Sequence, residues 1–265
     1  MIFVSTGISI NDATARLGKG ALGLVANCGR MGRFLINAVV YTLLPPLKFG
    51  RVVKQIYFIG FQSLLVILLT GSFTGMVLSL QGFHALSRFG SDAFLGPLVA
   101  MSIVRELGPV LAALMVTGRA GSAITAEIGI MRIGEQLDAM ELMGLNPYRY
   151  VVVPNLVAAA ISLPILTIIF DIVGIWGGYL VGVKILGVSG GTYLGEIRAY
   201  LGMSDVLGGL YKSICFGVII AGVCCYKGWH TRFGAEGVSR ATTEAVVLSS
   251  VLILMWDYFM TSALF

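Results

Sequence analysis

Residues 56–80 read IYFIGFQSLLVILLTGSFTGMVLSL, a stretch with no Asp, Glu, Lys or Arg, inside a 33-residue gap between Lys54 and Arg88. About 20 apolar residues in an α-helix cross the hydrocarbon layer of a bilayer, so this run is a membrane span. Composition extends the reading to the whole chain. Of 265 residues 57% are hydrophobic and 12% charged, against about 25% charged in an ordinary globular chain, and the mean hydropathy is +0.91. A soluble enzyme is excluded, because a soluble domain needs a charged exterior. Eighteen Lys and Arg against thirteen Asp and Glu give +5. In a membrane protein that excess points to cytoplasmic loops and lipid headgroups, and no long basic tract suggests nucleic acid.

The fold class expected is an all-α integral membrane protein, one domain over 1–265, with five spans. After 56–80 come 94–118, interrupted by Arg105-Glu106; 151–183, broken only by Asp171; the short 212–227; and 245–264, which contains Asp257. Orientation follows from the positive charges of the short loops. One side receives Arg16, Lys19, Arg30, Arg33, Lys48, Arg51, Lys54, Arg119, Arg132, Arg149, Lys227, Arg232 and Arg240. The other receives Arg88, Lys184, Arg198 and Lys212, with Arg105 left inside the membrane. The N-terminus is therefore expected in the cytoplasm and the C-terminus on the far side. Tyr57, Tyr211, Tyr226 and Trp229 fall near span ends, where interfacial aromatics belong.

Residues 12–50 are expected to form an interfacial amphipathic helix. Leu17, Ala21, Leu24, Cys28, Met31 and Leu35 recur at steps of four and three. At 100° per residue they stay within about 40° of one line, while Arg16, Lys19, Arg30 and Arg33 gather opposite. Such a helix sinks its apolar side into the leaflet and turns its arginines to headgroups. Gly18, Gly20, Gly23, Gly29 and Gly32 weaken it, and a loosely structured basic tail is the competing reading. Pro45-Pro46 turns the chain into the first span. Met1 to Ile10 has no positive n-region and no small-residue cleavage site, so the segment is expected to be retained.

Signatures of enzymatic chemistry are absent or incomplete. Gly187-Val188-Ser189-Gly190 matches the G-x-S-G of intramembrane serine proteases, but His230 falls in a basic loop on the opposite side. Leu17-Gly18-Lys19-Gly20 has the Gly-Lys pair of a phosphate loop, yet Ala13 stands where the first glycine should be and Gly20 where Ser or Thr should bind magnesium. Any ATP chemistry must come from another chain. Cys28, Cys215, Cys224 and Cys225 form no C-x-x-C pair and read as free thiols, and with only His84 and His230 a zinc site lacks ligands.

The loop between the second and third spans, 132–146, carries a short amphipathic helix. Ile133, Leu137, Met140 and Gly144 share one face, and Glu135, Asp138 and Glu141 lie off it. Three acids disfavour burial in a negatively charged leaflet. Docking onto a cytoplasmic protein fits better, with a solvated loop helix as the alternative. Within the second span, Arg105 and Glu106 point about 100° apart and cannot simply satisfy each other, so one is expected to pair elsewhere while the other lines a cavity. A buried polar pair that fixes helix register is the alternative. Gly71-x-x-x-Gly75, Gly174-x-x-x-Gly178 and Gly178-x-x-x-Gly182 are compatible with a tight bundle or a homodimer. Thr74, Leu78, Gln81, Gly82, Ala85 and Phe89 share a face suited to an acyl substrate, or to ordinary helix packing. Asp171 and Asp257 are read as a proton relay or as helix-to-helix hydrogen-bond acceptors.

Several motifs occur together: Leu80-Gln81-Gly82, Arg105-Glu106-Leu107-Gly108-Pro109-Val110, Gly118-Arg119-Ala120-Gly121-Ser122-Ala123, Ala126-Glu127-Ile128-Gly129, Met131-Arg132, Glu135-Gln136-Leu137, Ile175-Trp176-Gly177-Gly178 and Ala241-Thr242-Thr243. In combination, from roughly Met31 to the C-terminus, they resemble the MlaE-type permeases of ABC transporters that move phospholipids between the inner and outer membranes of Gram-negative bacteria. The resemblance implies an inner-membrane homodimer with an interfacial helix, five spans per subunit and a coupling helix that docks on a cytoplasmic ATPase. That helix would present Arg132, Glu135, Gln136, Leu137, Asp138, Met140 and Glu141. It also implies a periplasmic MCE-domain protein, a STAS-domain subunit in some complexes, and no cofactor in this chain, ATP and magnesium being bound by the ATPase. Glu106 and Arg105 would lie beside a lipid cavity, with Leu78, Leu86 and Phe89 as acyl-chain contacts. The residues alone also leave open a proton-coupled secondary transporter using Asp171, Glu106 and Asp257, and a membrane anchor with no transport role.

Overall fold

The computed structural model describes residues 22, 26, 29–42, 49–232 and 234–264, and among them every regular element is a helix. In chain order these are α1 (29–42), α2 (Phe49–Phe89), α3 (Asp92–Ile133), α4 (Gln136–Leu142), α5 (Tyr148–Ile185), α6 (Gly190–Tyr200), α7 (Met203–Trp229) and α8 (Ala235–Leu264). Among the described residues five helices, α2, α3, α5, α7 and α8, are long and apolar enough to cross a membrane. The chain is an all-α integral membrane protein. The five helices alternate in direction, so one end of the bundle carries α4 and the other α6.

The helices run beyond the expected apolar spans, because hydropathy finds only their charge-poor middles. α2 begins at Phe49, α7 at Met203 and α8 at Ala235. Over their most apolar windows α3 and α7 are each 56% buried, whereas α8 is 17% buried. α3 and α7 therefore form the interior, and α8 turns Val247, Val251, Leu254, Met255 and Phe259 outward. Outward apolar side chains are what a lipid-facing surface requires.

α2 lies along α5 at backbone distance, and glycine makes this possible. A Cβ built on Gly75 would overlap the Gly174 carbonyl, and one on Gly71 would come to 3.1 Å from the Phe170 oxygen. Removing side chains lets two backbones approach and gain dispersion contacts that lipid cannot match. The Gly71-x-x-x-Gly75 and Gly174-x-x-x-Gly178 motifs are thus used within one chain.

At the α4 end, α1 is pinned to the bundle by aromatic rings. Phe34 is 4% exposed and packs on Tyr148, Tyr226 and Trp229 at ring distances of 5.2, 5.6 and 5.9 Å. Leu35 sits against Gly222, while Arg30 and Arg33 are exposed. Of the expected apolar stripe, Leu17, Ala21, Leu24 and Cys28 lie outside the described residues. At the opposite end α6, not expected as a helix, closes the bundle. Its Tyr193 is fully buried and stacks edge-on with Tyr179 at 5.7 Å.

Candidate functional site

The site begins with a proline. Pro109 has no N–H to give the Arg105 carbonyl four residues earlier, and residues Ile103–Leu107 form a π-helical turn. Wider turns of this kind re-aim side chains and recur at functional sites. Here Arg105 and Glu106 part company. Arg105 Nη2 reaches Asp205 Oδ1 at 2.8 Å, and Asp205 Oδ2 also accepts from the Gly202 N–H at 3.0 Å, closing the first turn of α7. Glu106 Oε2 lies 2.9 Å from Lys212 Nζ on α7.

Lys212 is fully buried. Its ammonium donates to the freed Arg105 carbonyl at 3.0 Å, to Glu106 at 2.9 Å and to Thr261 Oγ1 at 2.7 Å. Asp257 Oδ1 stands 3.1 Å away. A charge placed in an apolar medium is tolerated when its protons and counter-charges are met. Three helices, α3, α7 and α8, converge to meet them. With every group ionised, two cations face three carboxylates and one negative charge is left over. Lys212 and Asp205 form the closed floor of the cluster, whereas the side chains of Arg105 and Glu106 keep 33% and 37% exposure. The open part of the cluster can therefore receive a polar group from outside the chain.

The expected site residues divide by position. Arg105 and Glu106 join the cluster, and so does Asp257. Asp171 does not: its Oδ1 is buried against Gly108 with no hydrogen-bond partner among the described residues. Leu78 and Leu86 are half-buried on α2 and pack against the core, and Phe89 is 82% exposed at the α6 end. Lys212, expected in a loop, is instead a buried helix residue. Ser189 and His230 fall at opposite ends of the bundle.

Cations also occupy two other breaks in the helices. Pro154 frees the Tyr150 carbonyl, and Arg51 Nη1 donates to it at 3.0 Å. α2 breaks at Gly60, where a single 3₁₀ turn follows, and Arg119 donates to the Phe58 carbonyl and to Gln62. Arg51 and Arg119, expected in loops, thus serve as hydrogen-bond partners of irregular backbone, which membrane-depth structure demands.

At the α4 end the chain leaves α3 through Glu135, held in the left-handed region at φ 56°. That break makes α4 shorter than the expected 132–146 and leaves Arg132 on α3. Arg132 Nη1 reaches forward to Asp138 Oδ1 at 2.6 Å. Leu137 is 1% exposed and Met140 half-buried, so the apolar face expected to meet a partner turns toward this chain. The surface left free carries Glu135, Gln136, Asp138 and Glu141, with Leu142 90% and Met143 67% exposed.

A family model described as Permease MlaE matches residues 52–263. The chain belongs to the MlaE permease family. It is 45% identical over 249 residues to a probable ABC transporter permease protein of Rickettsia bellii, covering 94% of this chain and 96% of that one. It is 42% identical over 250 residues, with the same coverage, to the intermembrane phospholipid transport system permease protein MlaE of Haemophilus influenzae. The chloroplastic protein TRIGALACTOSYLDIACYLGLYCEROL 1 of Arabidopsis thaliana is 34% identical over 229 residues, covering 86% of this chain and 65% of that one. The MlaE match contains both the α3–α7–α8 cluster and α4, and α1 lies before it. Within this MlaE span, sequence reasoning missed Asp205, Lys212 and Thr261 as cluster members. One signal was available for Lys212. From Lys212 to Lys227 there are 16 residues, fewer than the roughly 20 a crossing helix needs, so the span had to extend past one of them.

Proposed function

We propose that this chain is the membrane subunit of an ABC transporter that moves phospholipids between the inner and outer membranes of a Gram-negative cell, with ATP hydrolysed by a separate chain. The observation that carries the reading is the 42% identity, over 94% of this chain, to the intermembrane phospholipid transport system permease protein of Haemophilus influenzae. The geometry supports it in two places. The half-exposed Arg105 and Glu106 give a phospholipid headgroup charges of both signs, and outward apolar helix faces adjoin them for acyl chains. Leu78, Leu86 and Phe89 on α2 are the proposed acyl contacts. At the other end, α4 offers acids and two bare apolar side chains to an ATPase.

On this reading the protein sits in the inner membrane as a homodimer, with the α4 end in the cytoplasm and the α6 end in the periplasm. An MCE-domain protein stands on the α6 end, a STAS-domain subunit joins the cytoplasmic side, and the ATPase supplies the ATP and magnesium sites. Docking uses the exposed side of α4, with Glu135, Gln136 and Glu141 beside Leu142, while Arg132, Leu137, Asp138 and Met140 hold the helix in place. The chain purified alone is expected to hydrolyse no ATP and to copurify with an ATPase when the whole system is expressed. Glu141→Lys with Leu142→Asp should release that ATPase; undiminished copurification would remove α4 as the docking element. The proton-coupled reading has less support, because Glu106 and Asp257 share one ammonium while Asp171 sits apart beside Gly108.

A further inference from the structure

We propose that the Thr261 hydroxyl is a positioning group that assigns the Lys212 ammonium to Glu106 in preference to Asp257. This deepens the reading above, since the cluster it tunes is the proposed headgroup site. An ammonium has three protons. The Arg105 carbonyl at 3.0 Å, Glu106 Oε2 at 2.9 Å and Thr261 Oγ1 at 2.7 Å take all three. Asp257 Oδ1, 3.1 Å from the same nitrogen, is then a fourth neighbour competing for three protons. Thr261 therefore uses the proton that Asp257 would otherwise accept.

The hydroxyl then spends its own single proton on one of two acceptors. The Glu106 oxygens lie at 3.1 and 3.2 Å and the Asp257 carbonyl at 2.8 Å. When it donates to Glu106 the ring Lys212–Thr261–Glu106 closes, and Glu106 gains a second hydrogen bond that Asp257 lacks. Charge-assisted bonds of this kind are the strong ones. Without the hydroxyl, one ammonium proton is orphaned in a water-poor site, and its closest remaining acceptor is Asp257 Oδ1. Lys212 then turns toward α8, and Glu106, already half-exposed, loses its tie to α8. Thr261 stands in the last turns of α8 (Ala235–Leu264), so the end of a mostly exposed helix sets the pairing inside the bundle.

The test compares melting temperatures of the detergent-purified chain carrying Glu106→Gln or Asp257→Asn, in three backgrounds: Thr261, Thr261→Val and Thr261→Ser. With Thr261, Glu106→Gln should lower the melting temperature more than Asp257→Asn. In the near-isosteric Thr261→Val background the order should reverse, and Thr261→Ser, which keeps the hydroxyl, should restore it. An unchanged order in Thr261→Val, or a reversal in Thr261→Ser as well, overturns the assignment. If Thr261→Val does not melt cooperatively, Thr261→Ala carries the same comparison. In the complete transporter, Thr261→Val should lose most ATP-driven phospholipid transfer and Thr261→Ser should keep it. Failure of the unsubstituted transporter to transfer lipid would refute the functional reading and leave the melting comparison standing.

Discussion

One ammonium group ties three helices together at the α6 half of the bundle. Lys212 on α7 contacts Arg105 and Glu106 of α3 and Thr261 and Asp257 of α8. Removing one partner of a buried ion pair leaves the others uncompensated, which costs about 3–5 kcal/mol. Lys212→Met is therefore expected to lower the melting temperature of the purified protein steeply. Lys227 offers the contrast: its bond to Glu244 is 2.8 Å, but the pair is 25% and 44% exposed, and such pairs contribute about 1 kcal/mol at most. Lys227→Met should melt close to the unsubstituted protein, and equal losses for both would contradict the account. At this scale the sequence was half legible. The helical angle showed that adjacent Arg105 and Glu106 could not satisfy each other, but one was expected to pair and the other to line a cavity, whereas both are paired. Nothing local named those partners, because Lys212 and Asp205 lie about a hundred residues away and a positive charge at a span edge looks like a loop residue until it is paired.

Helices were legible where composition alone decides them and obscure where packing does. The charge-free run 56–80 could be nothing but a span, yet α2 extends well past it at both ends, since a helix needs no hydrophobicity once it leaves the lipid. α6 escaped notice because its mixed surface has no clear period; what holds it is the burial of Tyr193 and Ile197. For α4 the apolar face was read as a docking face, and of its residues Leu137 is buried within this chain. A pattern tells which face is buried, not what buries it. The glycine motifs posed the same ambiguity, and the contact of α2 with α5 resolves it. Gly75→Val must push those backbones apart, and overpacking of this kind costs about 1–3 kcal/mol or more. Gly118, with nothing within 4 Å of a built Cβ, supplies the control: Gly118→Ala should leave the melting temperature unchanged or slightly higher, as alanine favours helix. Similar behaviour of the two variants would mean that α2 and α5 do not pack as described.

For the whole molecule, alternating helices put α4 and α6 at opposite ends, and the charge count supports the proposal that the α4 end faces the cytoplasm. With Lys212 inside the bundle, Arg88, Lys184 and Arg198 remain as the cations of the α6 end, while Arg51 and Arg119 leave the loop count of the other end. A membrane-impermeant maleimide applied to intact inner-membrane-exposed cells should label Ser189→Cys and spare Leu142→Cys; labelling of the second alone would invert the topology. The chain is proposed to pass phospholipid across its bundle at the expense of ATP hydrolysed by another chain. The most direct measurement is transfer of a fluorescent phospholipid by proteoliposomes containing the chain with the ATPase and MCE-domain protein proposed as its partners. Transfer that requires ATP, persists without a proton gradient and falls sharply in Glu106→Gln is the result predicted. Transfer driven by a proton gradient without ATP, or ATP-driven transfer indifferent to Glu106, would contradict it.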